Sequence, residues 1–274
     1  MKTRPIAVYS LYLWLILFAL IPLLLVLIAS FLSKSSMQLV DLPFTLTNYS
    51  ALLTPAFVKI FFRSLFIAFF TTCCCLLLAY PFSYLLIKSK YQSLLLLLII
   101  IPFWTSSLVR TYSLIAILKT KGIINALLLK FHLIDSPLSL LYSNFAVIIG
   151  LVYNLFPFMV LPIFTNMERF DFRLIEAAKD LGASKSDLFF RVFLPNTVNG
   201  IISGCLLTLL PAMTLFYIPN VLGGARSLLL GNLIQEQFLV SANWPQGAAT
   251  SMILTVLLVI LLIVYRRQNR EVLH

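Results

Sequence analysis

Six long intervals of this 274-residue chain carry no Asp, Glu, Lys or Arg: 5–33, 64–87, 91–109, 136–167, 192–225 and 237–265. A helix that crosses hydrocarbon needs about 20 apolar residues, and each interval is about that long or longer. Only 11% of the residues are charged and 61% are hydrophobic. A soluble domain carries roughly 25% charged residues, so too little polar surface is present to cover a globule in water. Transmembrane strands would appear as alternating segments of ~10 residues, and the unbroken run "SLLLLLIIIPF" excludes them. The reading is an all-α integral membrane protein with six transmembrane helices, at about 9–32, 63–87, 92–117, 139–165, 196–220 and 246–266. A further charge-free interval, 42–58, holds two prolines among Thr, Ser and Asn and reads as a loop with a short helix. The first interval follows Lys2 and Arg4, as a secretory signal would. Its apolar run is too long and no clean small-x-small site follows, so it reads as a retained span.

Charge sets the orientation. With the N-terminus in the cytoplasm, twelve Lys and Arg fall inside and eight outside. Cytoplasmic loops carry the excess of Lys and Arg, so the sign supports an N-in, C-in arrangement. Lys119, Lys121 and Lys130 of the third loop run against it. The net charge of +11 sits at span ends, where it anchors topology, and no nucleic-acid partner is expected. Cys73, Cys74, Cys75 and Cys205 all lie in spans. Three consecutive helical residues point in different directions, so these cysteines read as small apolar residues. His132 and His274 have no ligand partner at metal spacing. No metal, no cofactor and no catalytic residue is expected. Pro102, Pro157, Pro162 and Pro211 fall within spans, where each removes a donor and bends its helix.

One segment breaks the apolar pattern: "EAAKDLGASKSDLFFRVFLP", Glu176 to Pro195. Asp171 is placed to cap a helix whose i,i+3 pairs are Arg173 with Glu176 and Glu176 with Lys179. Ala177 and Ala178 give that helix a small, smooth face. Gly182 stands where a left-handed residue would end it. Ser184 with Asp187 makes a capping box for a second helix, with Leu188, Phe189, Val192 and Phe193 on its apolar side. Pro195 is expected to end it. Two short helices joined at a glycine invite a DNA-binding reading, which a short loop held between two spans makes implausible. A docking knob for a cytosolic protein and an interfacial loop with no partner are the remaining readings.

The pattern Glu176-Ala177-Ala178, Gly182, Val192-x-Leu194-Pro195 resembles the EAA motif of ABC importer permeases, with valine for the commoner isoleucine. Its place between the fourth and fifth of six spans also matches. The stretches "FTLTNYSALL", "PFWTSSLVRTY", "KTKGIINALLL", "AVIIGLVYNLFPFMVLPIF", "CLLTLLPAMTLFYIPNVLGGA" and "WPQGAATS" extend the resemblance over most of the chain, toward the spermidine/putrescine branch. It implies a single permease domain, 1–274, of the type I (MetI-like) fold in a bacterial inner membrane, with a cytoplasmic coupling helix in the loop 168–195. It also implies three protein partners in addition to the lipid bilayer: a cytosolic ATPase homodimer, a second homologous permease, and an external (periplasmic) polyamine-binding protein. Glu176, Ala177, Ala178, Gly182, Leu194 and Pro195 would make the coupling contact. The chain has no G-x-x-x-x-G-K-[ST] motif, in keeping with ATP hydrolysis on another chain.

A polyamine path needs carboxylates, carbonyls or aromatic faces. The nine acids are Asp41, Asp135, Glu168, Asp171, Glu176, Asp180, Asp187, Glu236 and Glu271, none deep in an expected span. A weak conduit is therefore expected rather than a tight site. Among Phe103, Trp104, Tyr112, Tyr153, Phe216 and Tyr217, the candidates for the path are Trp104, Phe216 and Tyr217, together with Asn220 and Glu236. Arg110 would repel a cation and is expected to be an interfacial anchor or a contact to the binding protein. The alternatives are a permease for another small solute, a stand-alone secondary transporter or channel, and a membrane-embedded enzyme. A channel or transporter would carry ionisable residues in mid-span, and an enzyme would need polar pairs there.

Overall fold

The computed structural model describes residues 4–35, 40–224 and 227–271; Lys2, Arg226 and His274 lie outside them. Among the described residues, regular structure is helical apart from one isolated bridge, Ser33 with Asp41. α1 (Arg4–Leu15) passes through a π turn, Ile16–Leu20, into α2 (Ile21–Ser30). Then come α3 (Thr47–Ala51), α4 (Pro55–Lys88), α5 (Gln92–Ile100), α6 (Ser107–Leu118), α7 (Ile123–Lys130) and α8 (Asn144–Glu168). They are followed by α9 (Arg173–Asp180), α10 (Lys185–Asp187), α11 (Leu194–Thr214), α12 (Leu230–Gln235) and α13 (Trp244–Glu271). Among the described residues, six stretches are long and apolar enough to cross a membrane: Val8–Ser30, Pro55–Lys88, Ser107–Lys130, Asn144–Glu168, Lys185–Thr214 and Trp244–Ile263.

The chain divides into two compact units. The first holds residues 4–35, 40–61 and 233–263. Its helical ends are tied by polar side chains: Asn48 donates to the Ser30 and Leu32 carbonyls at 3.0 and 2.8 Å. The Thr250 hydroxyl donates to the buried Gln237 amide oxygen at 2.8 Å. The Phe238 ring meets Trp244 edge-on at 5.3 Å.

The second unit runs from Phe62 through Asn232 and includes the tail of α13. Its centre is the pairing of α8 with α11. A Cβ on Gly200 would stand 2.6 Å from the Asn166 Cβ and 3.0 Å from the Pro162 carbonyl. One on Gly204 would stand 2.7 Å from the Met159 sulfur. Glycines four apart let two membrane helices bring their backbones together. The sequence "GIISG" carries that small-xxx-small signal, which the expectations above do not use. Inside α8, Asn154 donates to the Gly150 carbonyl at 2.9 Å and to the Thr111 hydroxyl at 3.3 Å, holding α6 against α8. Pro157 and Pro162 sit within α8 without ending it.

Three expected boundaries are corrected. The span at 92–117 is not one helix: α5 tightens into a 3-10 turn, Ile101–Trp104, and Thr105 and Ser106 are non-helical before α6 begins. Pro102 cannot donate, and the Thr105 hydroxyl takes its carbonyl at 2.7 Å. The second span begins earlier than expected, at Pro55, because proline suits a first helical turn and the cations Lys59 and Arg63 fit on it. The fifth span ends at Thr214, not near 220, three residues after Pro211, with Leu215 extended. Both candidates therefore lie beyond a break, Tyr217 on a short helical turn and Asn220 in the π segment that follows it, Pro219–Gly223.

Candidate functional site

The polar segment folds much as its capping residues direct. Asp171 accepts from the Arg173 amide at 3.0 Å and also takes the Arg173 guanidinium in a fork at 2.8 to 3.1 Å. The guanidinium's hydrogen bonds, then the Arg173 amide, hold the Asp171 carboxyl below the usual carboxylate range. This corrects the expected pairing: Arg173 closes on Asp171, two residues back, rather than on Glu176. The nearer carboxylate already meets its planar fork, which favours bidentate contact. Glu176 in the first turn and Lys179 in the last remain placed to complement the helix dipole.

The end of α9 is made as expected. Gly182 has φ 81°. The Leu181, Gly182 and Ala183 amides return to the carbonyls of Ala177, Lys179 and Ala178 at 3.2, 2.8 and 3.0 Å. That satisfies the last turn in the manner of a glycine C-cap. The Ser184 hydroxyl then accepts from the Asp187 amide at 3.2 Å and donates to its carboxylate at 2.6 Å. Arg191 pairs with Asp187 one turn on, at 3.1 Å.

Pro195 does not end the second helix. The run from Lys185 to Thr214 is continuous, through α10, a π turn at Leu188–Phe193, and α11. In the π turn the Leu194 amide reaches the Phe189 carbonyl. The ladder has already left its i→i−4 register where Pro195 has no donor, so the proline is tolerated. Asn196 and Thr197 side chains donate to the carbonyls of Val192, Phe193 and Leu194. The second half of the polar segment, from Lys185, is thus continuous with the fifth span.

Phe193 is the hub of this region, 2% exposed. Its ring lies 5.4 Å from Tyr84 and 5.1 Å from Phe170, both edge-on, and 6.4 Å from Tyr80. Tyr80 also meets Phe189 edge-on at 6.0 Å, and its hydroxyl is 3.0 Å from that of Thr197. Lys88 lies 4.1 Å over the Tyr84 ring and donates to the Tyr84 hydroxyl. The cytoplasmic end of α4, the exit from α8 and the start of α11 therefore meet in one aromatic cluster. A cavity of about 520 Å³ opens beside it, lined by Lys88, Phe172, Glu176, Lys179, Lys185 and Phe189 among others. Ala177 faces out and Ala178 is half-buried. Leu181 is 89% exposed at the tip of the turn. Leu181 was not among the expected site residues; an apolar residue directly before a C-cap glycine was its signal. Leu194 is half-buried and Pro195 exposed, both on the continuous helix.

The outer candidates lie on separate elements. Trp104 ends the 3-10 turn and is 83% exposed. Phe216 and Tyr217 are edge-on at 6.2 Å, past the break in the fifth span. Asn232, buried and not anticipated from the sequence, ties this region: it donates to the Phe216 carbonyl at 2.9 Å and contacts the Asn220 amide oxygen. Glu236 is exposed and belongs to the first compact unit. Arg110 is not an interfacial anchor but is buried, its guanidinium 4.4 Å over the Phe103 ring and 5.9 Å from that of Tyr153. Stacking on two ring faces offsets part of the cost of burying the charge.

Residues 76–274 match the family described as binding-protein-dependent transport system inner membrane component. The chain is 47% identical over 271 residues to the spermidine/putrescine transport system permease protein PotB of Haemophilus influenzae, covering 98% of this chain and 95% of that protein. It is 48% identical over 259 residues to the protein of the same name from Escherichia coli, covering 94% of each. Among solved structures it resembles a chain of a bacterial alginate ABC transporter complexed with its alginate-bound periplasmic protein. That match has a TM-score of 0.76 at 14% identity and covers 98% of this chain and 96% of that one. At that identity the likeness establishes the fold, which is the one expected of an ABC importer permease. The whole-chain identity and the matched family together show that this chain belongs to the binding-protein-dependent transport system inner membrane components, as a multi-pass permease subunit of an ABC importer.

Proposed function

We propose that the chain, acting over 1–274 as one transmembrane domain, forms half of the pathway by which an ATP-driven importer takes up spermidine and putrescine. The observation that carries the reading is the near-complete coverage at 47–48% identity by relatives named as permeases for those two substrates. The other half is a second, homologous permease. ATP is hydrolysed on a cytosolic ATPase homodimer, and an external binding protein supplies the polyamine.

In this reading α9 and its glycine turn dock on the ATPase, with Glu176, Ala177, Ala178 and Gly182 at the contact. Leu194 and Pro195 carry the motion into α11. The support is mechanical. The second half of the segment, from Lys185, continues into the fifth span and is clamped by Phe193 to the ends of α4 and α8, so a push that α9 passes across its glycine turn to this helix is felt by three helices together. ATP-driven closure would open the pathway outward, and hydrolysis would reset it inward. Trp104, Phe216, Tyr217, Asn220 and Glu236 contribute aromatic faces, an amide and one carboxylate along the outer route. Tight recognition belongs to the binding protein, since a flexible trication needs fixed negative charge to be held firmly.

The test is uptake of labelled spermidine into vesicles holding the four kinds of chain. Uptake requiring ATP and every component is the expected result. Transport by this chain without an ATPase would overturn the proposal. Uptake of a different solute delivered by another binding protein would keep the mechanism and replace the substrate.

A further inference from the structure

A cavity of about 870 Å³ lies wholly within the second compact unit. That is within the range of roughly 300–1,000 Å³ typical of ligand pockets. Its walls are apolar side chains of α4, α5, the 3-10 turn and α8, including Phe70, Leu78, Phe145 and Phe156. One ionised group lines it, the guanidinium of Arg110 on α6, and no carboxylate does. Arg110 is 8% exposed. Its Nε is buried and has no hydrogen-bond partner. The rings of Phe103 and Tyr153 satisfy its charge in part, but a ring face at that distance does not replace an acceptor for this N–H. A charge at membrane depth is expensive unless it is paired, and an unmet donor adds to that cost.

The rim explains how a partner group could arrive. Phe70, Leu78, Phe145 and Tyr153 are all substantially exposed, so the cavity opens on a surface of the spanning helices. A polyamine has the wrong sign for it. A ligand with an apolar body and a single anionic group matches both the walls and the guanidinium. In a bilayer, phospholipids with a net negative headgroup are the abundant molecules of that kind. We propose that this cavity is an anionic-phospholipid site, with an acyl chain along Phe70, Leu78 and Phe145 and the phosphate accepting from Arg110. Basic pockets between membrane helices commonly take lipid headgroups. The proposal depends on the membrane location and not on which solute is transported.

The test uses the full transporter, reconstituted in vesicles of equal parts phosphatidylethanolamine and phosphatidylglycerol, re-extracted in detergent, with co-purifying lipid measured by mass spectrometry. The wild-type assembly is expected to retain phosphatidylglycerol in preference to phosphatidylethanolamine. Arg110→Gln should lower that preference about tenfold, the scale of one charge-assisted hydrogen bond. Ile149→Trp, which fills the apolar part and leaves the guanidinium in place, should lower it as well and guards against failed assembly of the first variant. Wild-type lipid ratios in both variants would overturn the proposal. So would a photo-cross-linker at Tyr153 that captures a neighbouring protein chain instead of lipid, because the cavity would then be a protein interface.

Discussion

At Gly182 the backbone has φ 81°, and no heavy atom lies within 4 Å of where a Cβ would stand. Space is available there but the conformation is not: a non-glycine residue in the left-handed region costs about 1–2 kcal/mol. Gly182→Asp adds a charge at the same tip. We expect the purified variant to keep wild-type behaviour on size exclusion while losing most substrate-stimulated ATPase activity; unchanged transport would remove the docking role. Phe193→Ala should do the opposite kind of harm, since truncating a buried ring costs about 3–5 kcal/mol. Its thermal unfolding in detergent should shift down, whereas Leu181→Ser should leave unfolding unchanged and lower only the coupled ATPase. Asp171 gives a pH dependence with a definite sign. Its carboxyl is held below the ordinary range by Arg173, so the stabilisation is complete at neutral pH and is lost as pH falls through that lowered range. The protection of the Arg173 amide against hydrogen exchange, taken relative to the intrinsic rate at each pH, should fall on acidification in the wild type and show no such step in Asp171→Ala.

Helix pairing is the decisive matter one level up. The "GIISG" stretch places Gly200 and Gly204 on the face of α11 that meets α8. A Cβ at 204 is opposed first by the flexible Met159 sulfur, while one at 200 is opposed by the Asn166 Cβ and the Pro162 carbonyl. Gly200→Val should therefore cost more than Gly204→Ala, by about 1–3 kcal/mol for overpacking a tight contact. Comparing yields of folded protein and melting in detergent would check the order; equal losses would mean that the contact adjusts at either site. The elements that sequence periodicity misplaces share one cause. Pro102, Pro195 and Pro211 look alike in one dimension, yet one accompanies a break, one is absorbed by a π turn, and one precedes a helix end by three residues. Which outcome follows depends on what satisfies the freed carbonyls, and those partners are side chains and turns rather than the proline itself.

For the molecule as a whole, membership of the binding-protein-dependent transport systems makes transport a property of an assembly in the function proposed above. Disabling the nucleotide site of the ATPase chain should abolish polyamine uptake while leaving insertion of this chain unchanged, as judged by membrane fractionation. The class, the six spans and the coupling segment were legible from the sequence. Charge-free length and hydropathy are additive along a chain, and the capping residues Ser184 and Gly182 act within a turn or two of themselves. The EAA pattern was legible for the same reason, since a docking helix needs its small face and its glycine at fixed spacing.

The aromatic hub around Phe193, the buried Arg110 and the tie through Asn232 were not legible. Each is made by residues distant in sequence, and one Phe, Arg or Asn looks like another until packing brings its partners up. Sequence alone therefore determined that this protein is a membrane permease with a cytoplasmic handle. Only the tertiary structure decided which helices that handle grips and where a charge is buried, because those depend on contacts between helices that no periodicity encodes.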